Sequence, residues 1–96
     1  MLDRLESEIE MLERHLEVLN AVVVGEPIGI SKLSEMTGHS KYKVRYSLRI
    51  LEQEGLIEPS PQGAVTTESV SKASPMLKTK LKEMQDTISD IMKELG

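Results

Sequence analysis

The chain contains no cysteine, no tryptophan and no phenylalanine, and two tyrosines are its only aromatic residues. Without cysteine there is no disulfide framework, no thiolate metal site and no cysteine nucleophile. Without Phe or Trp, any core must be assembled from Leu, Ile, Val and Met. Ninety-six residues bound the chain to one small domain that buries a modest fraction of its surface. A core that thin is most simply completed by shared burial in an oligomer. Long apolar runs are also lacking. The longest, Ala21 to Val24, is far short of a bilayer span, and Asp3 and Glu6 stand where a secretory signal would be basic. The expectation is a soluble, cytoplasmic protein with no membrane partner.

The chemistry of catalysis is missing as well. There is no phosphate-binding glycine loop and no nucleophile with a base at a recognisable spacing, so an enzyme is not expected and no cofactor is implied. His15 and His39 are isolated. A metal site needs three or four convergent ligands, and none gather around either.

The net charge is −4, but it is unevenly distributed. Asp3, Glu6, Glu8, Glu10, Glu13 and Glu17 outweigh Arg4 and Arg14 in residues 1–24, and the remaining three quarters of the chain is balanced. Positions 39–51 hold Lys41, Lys43, Arg45 and Arg49 and no acid. Tyr42 and Tyr46 fall in the same stretch. The local field there is positive although the chain is acidic.

Both ends of the chain carry heptad patterns. Leu2, Leu5, Ile9, Leu12, Leu16, Leu19 and Val23 alternate spacings of three and four, the signature of an apolar helical seam. From Met11 a second stripe joins it (Met11, His15, Val18, Val22), so the latter half of this helix should enter a core. Gly25 and Pro27 end it. Leu77, Leu81, Met84, Ile88, Ile91 and Leu95 form the second seam, on a helix expected to start at Pro75 with Ser74 as its cap. Glu6, Glu8 and Glu13 flank the first seam, whereas Lys78 and Lys80 flank the start of the second. Like charges would oppose two copies of the first helix paired in parallel. The N-terminal helix is therefore expected to pack on a C-terminal helix, giving a homodimer through Leu2, Leu5, Ile9, Leu12, Leu77, Leu81, Met84, Ile88, Ile91 and Leu95. An intramolecular pairing of the two helices remains the alternative.

Between the seams, residues 28–31 read as a short extended piece. Ser31 is a plausible cap for a helix from Lys32 to about Thr37, and Gly38 supplies a left-handed turn. Ser40 caps a helix to about Glu54, with Val44, Leu48 and Leu51 as its buried stripe, Ser47 beside them, and Tyr42, Tyr46, Arg49 and Gln53 on the opposite face. Gly55 stops it. Leu56-Ile57 and Ala64 to Thr67 then form a hairpin around Pro59 to Gly63.

This order, and the positions of Leu33, Met36, Gly38, Val44, Leu48, Leu51, Gly55, Leu56 and Ile57, resemble the winged helix-turn-helix transcriptional regulators over residues 16–67. The long terminal helices are similar to the dimerisation helices of the ArsR and MarR repressor groups, although the cysteine metal box of some ArsR-like sensors is absent. The expected fold is mainly α with a small β-hairpin: a winged helix-turn-helix at 16–67, preceded by a dimerisation stretch at 1–15 and followed by a linker and dimerisation helix at 68–96. The resemblance implies sequence-specific binding of double-stranded DNA by a dimeric transcriptional regulator, a repressor in the first instance, with the helix at 40–54 in the major groove. Carried over by position, Ser40, Lys41, Tyr42, Lys43, Arg45, Tyr46 and Arg49 would face DNA. Cations neutralise phosphates, and Arg pairs bidentately with guanine. The wing departs from the pattern. It has no Lys or Arg and follows Glu58, leaving Ser60, Gln62 and backbone amides to make any contact. The alternative function is a winged-helix protein-interaction module in a larger complex, suited by the acidic first helix. The sequence names no small-molecule effector; one would have to bind between the long helices and the winged module.

Overall fold

The computed structural model describes residues 1–96. Six elements follow one another: α1 (Leu2–Gly25), α2 (Ile30–Thr37), α3 (Lys41–Gln53), β1 (Ile57–Ser60), β2 (Gly63–Thr66) and α4 (Ser69–Glu94). The molecule is mainly helical, a winged helix-turn-helix with long helices at both ends. It is elongated, 54 × 28 × 19 Å along its principal axes. No helix is long and apolar enough to cross a membrane.

The core sits where α1, α2, α3 and the hairpin meet. Its members are Val18, Leu19, Ala21 and Val22 of α1, Ile28, Leu33 of α2, Val44 and Leu51 of α3, and Leu56 and Ile57. The double stripe of α1 accounts for this. Val18 and Val22 are fully buried, whereas every residue from 1 to 10 is exposed. A single helix therefore does two jobs, core in its second half and bare arm in its first.

The turns that orient α3 are chemically explicit. Gly38 takes the left-handed conformation at φ 77°, which a side chain would resist. The Ser34 hydroxyl donates to the His39 carbonyl at 2.6 Å, and the His39 amide donates to Thr37 Oγ1 at 3.3 Å. Ser40 Oγ accepts the Lys43 amide at 3.2 Å, capping α3 as its sequence position implies. At the far end Leu56 N donates to Leu51 O and Gly55 N to Glu52 O. Leu51 and Leu56 are both in the core, so the last turn closes as a Schellman motif with its hydrophobic contact.

The hairpin is antiparallel, pairing Ile57 with Thr66, Glu58 with Val65, Pro59 with Ala64 and Ser60 with Gly63. Ile28 adds a bridge on the other side of β2, exchanging backbone hydrogen bonds with Ala64 at 2.8 and 3.2 Å. The Glu26 carboxylate accepts both the Thr66 amide and hydroxyl at 2.9 Å. The wing is thereby tied to the end of α1.

Six boundaries differ from expectation. Ser31 does not cap α2: the helix starts one residue earlier, with Gly29 as its cap. Ser31 lies in the first turn because the Ile28 bridge already ends the extended piece. Leu56 lies outside β1 and Thr67 outside β2, whereas Pro59 and Ser60 belong to β1 and Gly63 to β2 rather than to the turn. Proline is tolerated at Pro59 because its pairing with Ala64 lies on the sheet's edge. The last helix begins at Ser69, so Pro75 is internal and Ser74 is not a cap. Val70 and Ala73 pack against the core, and that burial extends the helix backward through the proline. The Thr67 hydroxyl helps start it, accepting the Ser69 amide at 3.3 Å while donating to Gly55 O at 2.6 Å.

Candidate nucleic-acid interface

One side of α3 is fixed by what it buries. Val44 and Ser47 are fully buried and Leu51 nearly so, which turns positions 42, 43, 45, 46 and 49 outward. Leu48, expected in the stripe, is half-buried at its edge. Lys41, Lys43, Arg45 and Arg49 are all exposed. None of them pairs with a carboxylate: the ion pairs are Lys32–Glu35, Lys80–Glu83 and Lys82–Asp86, and Glu17 contacts His39. Four cations on one 13-residue helix are thus left free for anions, at a surface where water screens their mutual repulsion.

The remaining expected residues divide. Ser40 is exposed, and its oxygen accepts the capping bond, which leaves its hydroxyl proton and one lone pair for a ligand. Tyr42 is 79% exposed. Tyr46 is 37% exposed and packs its ring against His15 of α1, with centroids 5.8 Å apart and planes tilted by 47°. It therefore serves both the surface and the α1–α3 junction. Gln62 is exposed in the two-residue turn between the strands, on a separate element from the others. Glu58 faces solvent on β1; Glu26, being bound to Thr66, is occupied structurally.

Behind α3 lies a polar junction that the sequence reading did not identify. Arg14 Nε donates to Ser47 Oγ at 3.2 Å, and His15 Nδ1 lies 2.8 Å from the same oxygen. Ser47 Oγ makes no other hydrogen bond, so its proton is directed to Nδ1 and the imidazole accepts as the neutral Nε2–H tautomer. Burial, and then the neighbouring Arg14 guanidinium, lower the His15 pKa from its ordinary value. The available signal was a serine on the buried face of α3 in helical register with Val44 and Leu51. A buried hydroxyl needs a partner, and His15 and Arg14 are adjacent on the facing helix.

His39 is engaged elsewhere, its Nε2 3.1 Å from Glu17 Oε2. This contact ties the α2–α3 turn back to α1. Both histidines therefore help to hold the helix-turn-helix in place.

The terminal seams lie beside each other in the same chain. Leu16, Leu19 and Val23 face Val70, Ala73 and Leu77, and farther out Leu5, Ile9 and Leu12 face Leu81, Met84, Ile88 and Ile91. α1 and α4 thus run in opposite directions, separated by an open apolar groove of about 610 Å³ along the arm. Much of both seams stays exposed, including Leu2, Leu5, Ile9, Leu81, Met84, Ile88, Ile91 and Leu95, whereas Leu12, Leu16 and Leu77 are half-buried and Leu19 is in the core.

A family model described as FaeA-like protein matches residues 11–71, more than half of the chain. The match spans the core half of α1, the helix-turn-helix, the hairpin and the start of α4, and omits both arms. No curated protein matches the chain.

Proposed function

The chain belongs to the FaeA-like protein family, and from that premise we propose that it binds double-stranded DNA through α3 as a transcriptional regulator. The observation that carries this reading is the state of Lys41, Lys43, Arg45 and Arg49: exposed, unpaired and grouped on the helix that the turn at Gly38 projects from the core. In winged helix-turn-helix architecture the corresponding helix lies in the major groove with its N-terminal half nearest the bases. There Lys41 and Lys43 meet phosphates, Arg45 and Arg49 reach guanine edges or phosphates, and Tyr42 offers a ring and a hydroxyl. The uncharged turn at Pro61-Gln62 makes the wing a minor contributor, limited to Ser60, Gln62 and backbone amides.

Selection from a random duplex library, followed by sequencing of the retained DNA, tests the sequence-specific part of the proposal. Enrichment of a short motif that is lost on Arg45→Ala or Arg49→Ala supports it; recovery of unenriched DNA contradicts it.

One observation favours a second reading, a protein-interaction module within a larger complex. Residues 1–10 are wholly exposed and include Asp3, Glu6, Glu8 and Glu10, a surface that repels DNA and suits a basic partner. Steep salt dependence of duplex binding separates the two readings, because only the first releases counterions from a nucleic acid.

A further inference from the structure

We propose that the groove between the arms of α1 and α4 is closed by the same two arms of a second copy of this chain, forming a four-helix bundle. The 26 residues of α4 contain no buried position, and the first ten residues of the chain are equally bare. Helices of this length owe most of their stability in water to packing of an amphipathic face. Here that face is turned to solvent: Leu5 is 49% exposed, Ile9 51%, Met84 50% and Ile91 56%. The winged module does not supply the missing cover. Its core is complete without these residues, and the arms fall outside the residues that define the family.

The groove specifies its occupant. It requires antiparallel amphipathic helices with apolar residues at alternating spacings of three and four, and the chain carries both. The charges beside the seams decide how they fit. Glu6, Glu8 and Glu13 border the α1 seam. Lys78 and Lys80 border the start of the α4 seam; Glu83 also lines the groove and holds Lys80 at 3.5 Å, whereas Lys78 has no ion-pair partner. An α1–α1 contact sets acid against acid, so the two α1 helices lie diagonally across the bundle, and each contacts its own α4 and that of the other copy. A ligand or a foreign helix could match the apolar floor, but the second copy brings two seams of the matching spacing, and an unpaired Lys78 to set against the α1 acids. This inference stands independently of the DNA reading, and its test contains no DNA.

The test is sedimentation velocity of the full chain at roughly 50 micromolar protomer, a stated concentration being essential for an oligomer. It is paired with the Ile9→Lys/Ile88→Lys variant, whose substitutions lie outside the core. Amide exchange at Leu33 and Val44 checks that the variant's winged module is intact. A wild-type dimer that becomes a monomer in the folded variant is the expected result. If the double variant proves unfolded, Glu8→Lys/Glu13→Lys takes its place, with a weakened dimer expected. A wild-type monomer overturns the proposal, as does a dimer that survives all these substitutions in folded protein. The absence of cysteine allows a further check. A mixture of Glu8→Cys and Thr87→Cys chains should form the mixed disulfide in preference to the Glu8→Cys homodimer, and the reverse preference contradicts the diagonal placement of α1.

Discussion

His15 Nδ1 lies 2.8 Å from the hydroxyl oxygen of Ser47, so the one buried polar residue of the module is bonded to the long N-terminal helix. The contact does more than satisfy a hydroxyl. Ser47 follows Tyr46, and Tyr46 rests on the His15 ring. The junction thus adds a polar tether to the apolar packing of α3 on α1.

A pH dependence follows from the burial of His15 and from its place beside Arg14. Protonation would convert Nδ1 from an acceptor into a donor toward an oxygen that already accepts from Arg14, and would place a second positive charge beside it. The unfolded chain takes up this proton near pH 6.5, the ordinary value, whereas the folded chain does so only at lower pH. The contribution of His15 is thus fully present above that pH and is lost as the pH falls below it. Denaturant melts of wild type and His15→Gln between pH 7.5 and 5 (a range about the ordinary value) should diverge, with wild type losing more stability on the acid side. Parallel curves would contradict the assignment.

Removing the hydroxyl has its own cost. Ser47→Ala leaves Arg14 and His15 without their shared partner, at about 1–3 kcal/mol for part-buried polar groups. Urea unfolding at neutral pH measures it. The variant should keep the acid-side loss of wild type, because burial and the Arg14 guanidinium, which lower the His15 pKa, both remain.

Gly63 is placed where no side chain fits. Its φ is 131°, and a Cβ there would fall 2.5 Å from the Ile28 carbonyl carbon. Gly63→Ala should therefore break the Ile28–Ala64 bridge and cost more than about 1 kcal/mol. Gly29→Ala, where an added Cβ meets nothing within 4 Å, should be far milder. Comparison of their melting temperatures, with exchange of the Ala64 amide as the local readout, checks this.

Pro75 lies inside α4, where its ring removes one helical hydrogen bond and its interior cost is about 3 kcal/mol. Pro75→Ala should raise helicity and protect the amides of α4, as seen by circular dichroism and hydrogen exchange. Unchanged or reduced helicity would show that the helix does not run through this position.

The sequence made much of this architecture legible, and the exceptions share a cause. The limits of α1, the cap at Ser40 and the stops at Gly38 and Gly55 are local, written in one or two residues with a strong backbone preference. The start of α4 was misread because Pro75 after Ser74 is a strong local signal that the tertiary packing of Val70 and Ala73 overrides. The exposed residues of α3 followed from its period alone. The bond from His15 to Ser47 spans 32 positions, and no local pattern reports such a distance. Tyr46 shows the same limit: the wheel sets it opposite Val44, but only the neighbouring helix determines that its ring also packs on His15.

The most direct test of the central claim is fluorescence anisotropy of a generic duplex titrated with the protein across a salt series, beside the Lys43/Arg45/Arg49 triple-alanine variant. Binding should weaken steeply with salt, with the variant's slope reduced by roughly one for each of the three contacts that is made to phosphate. Duplex binding that is absent, or that the triple variant retains with an unchanged salt slope, would contradict it.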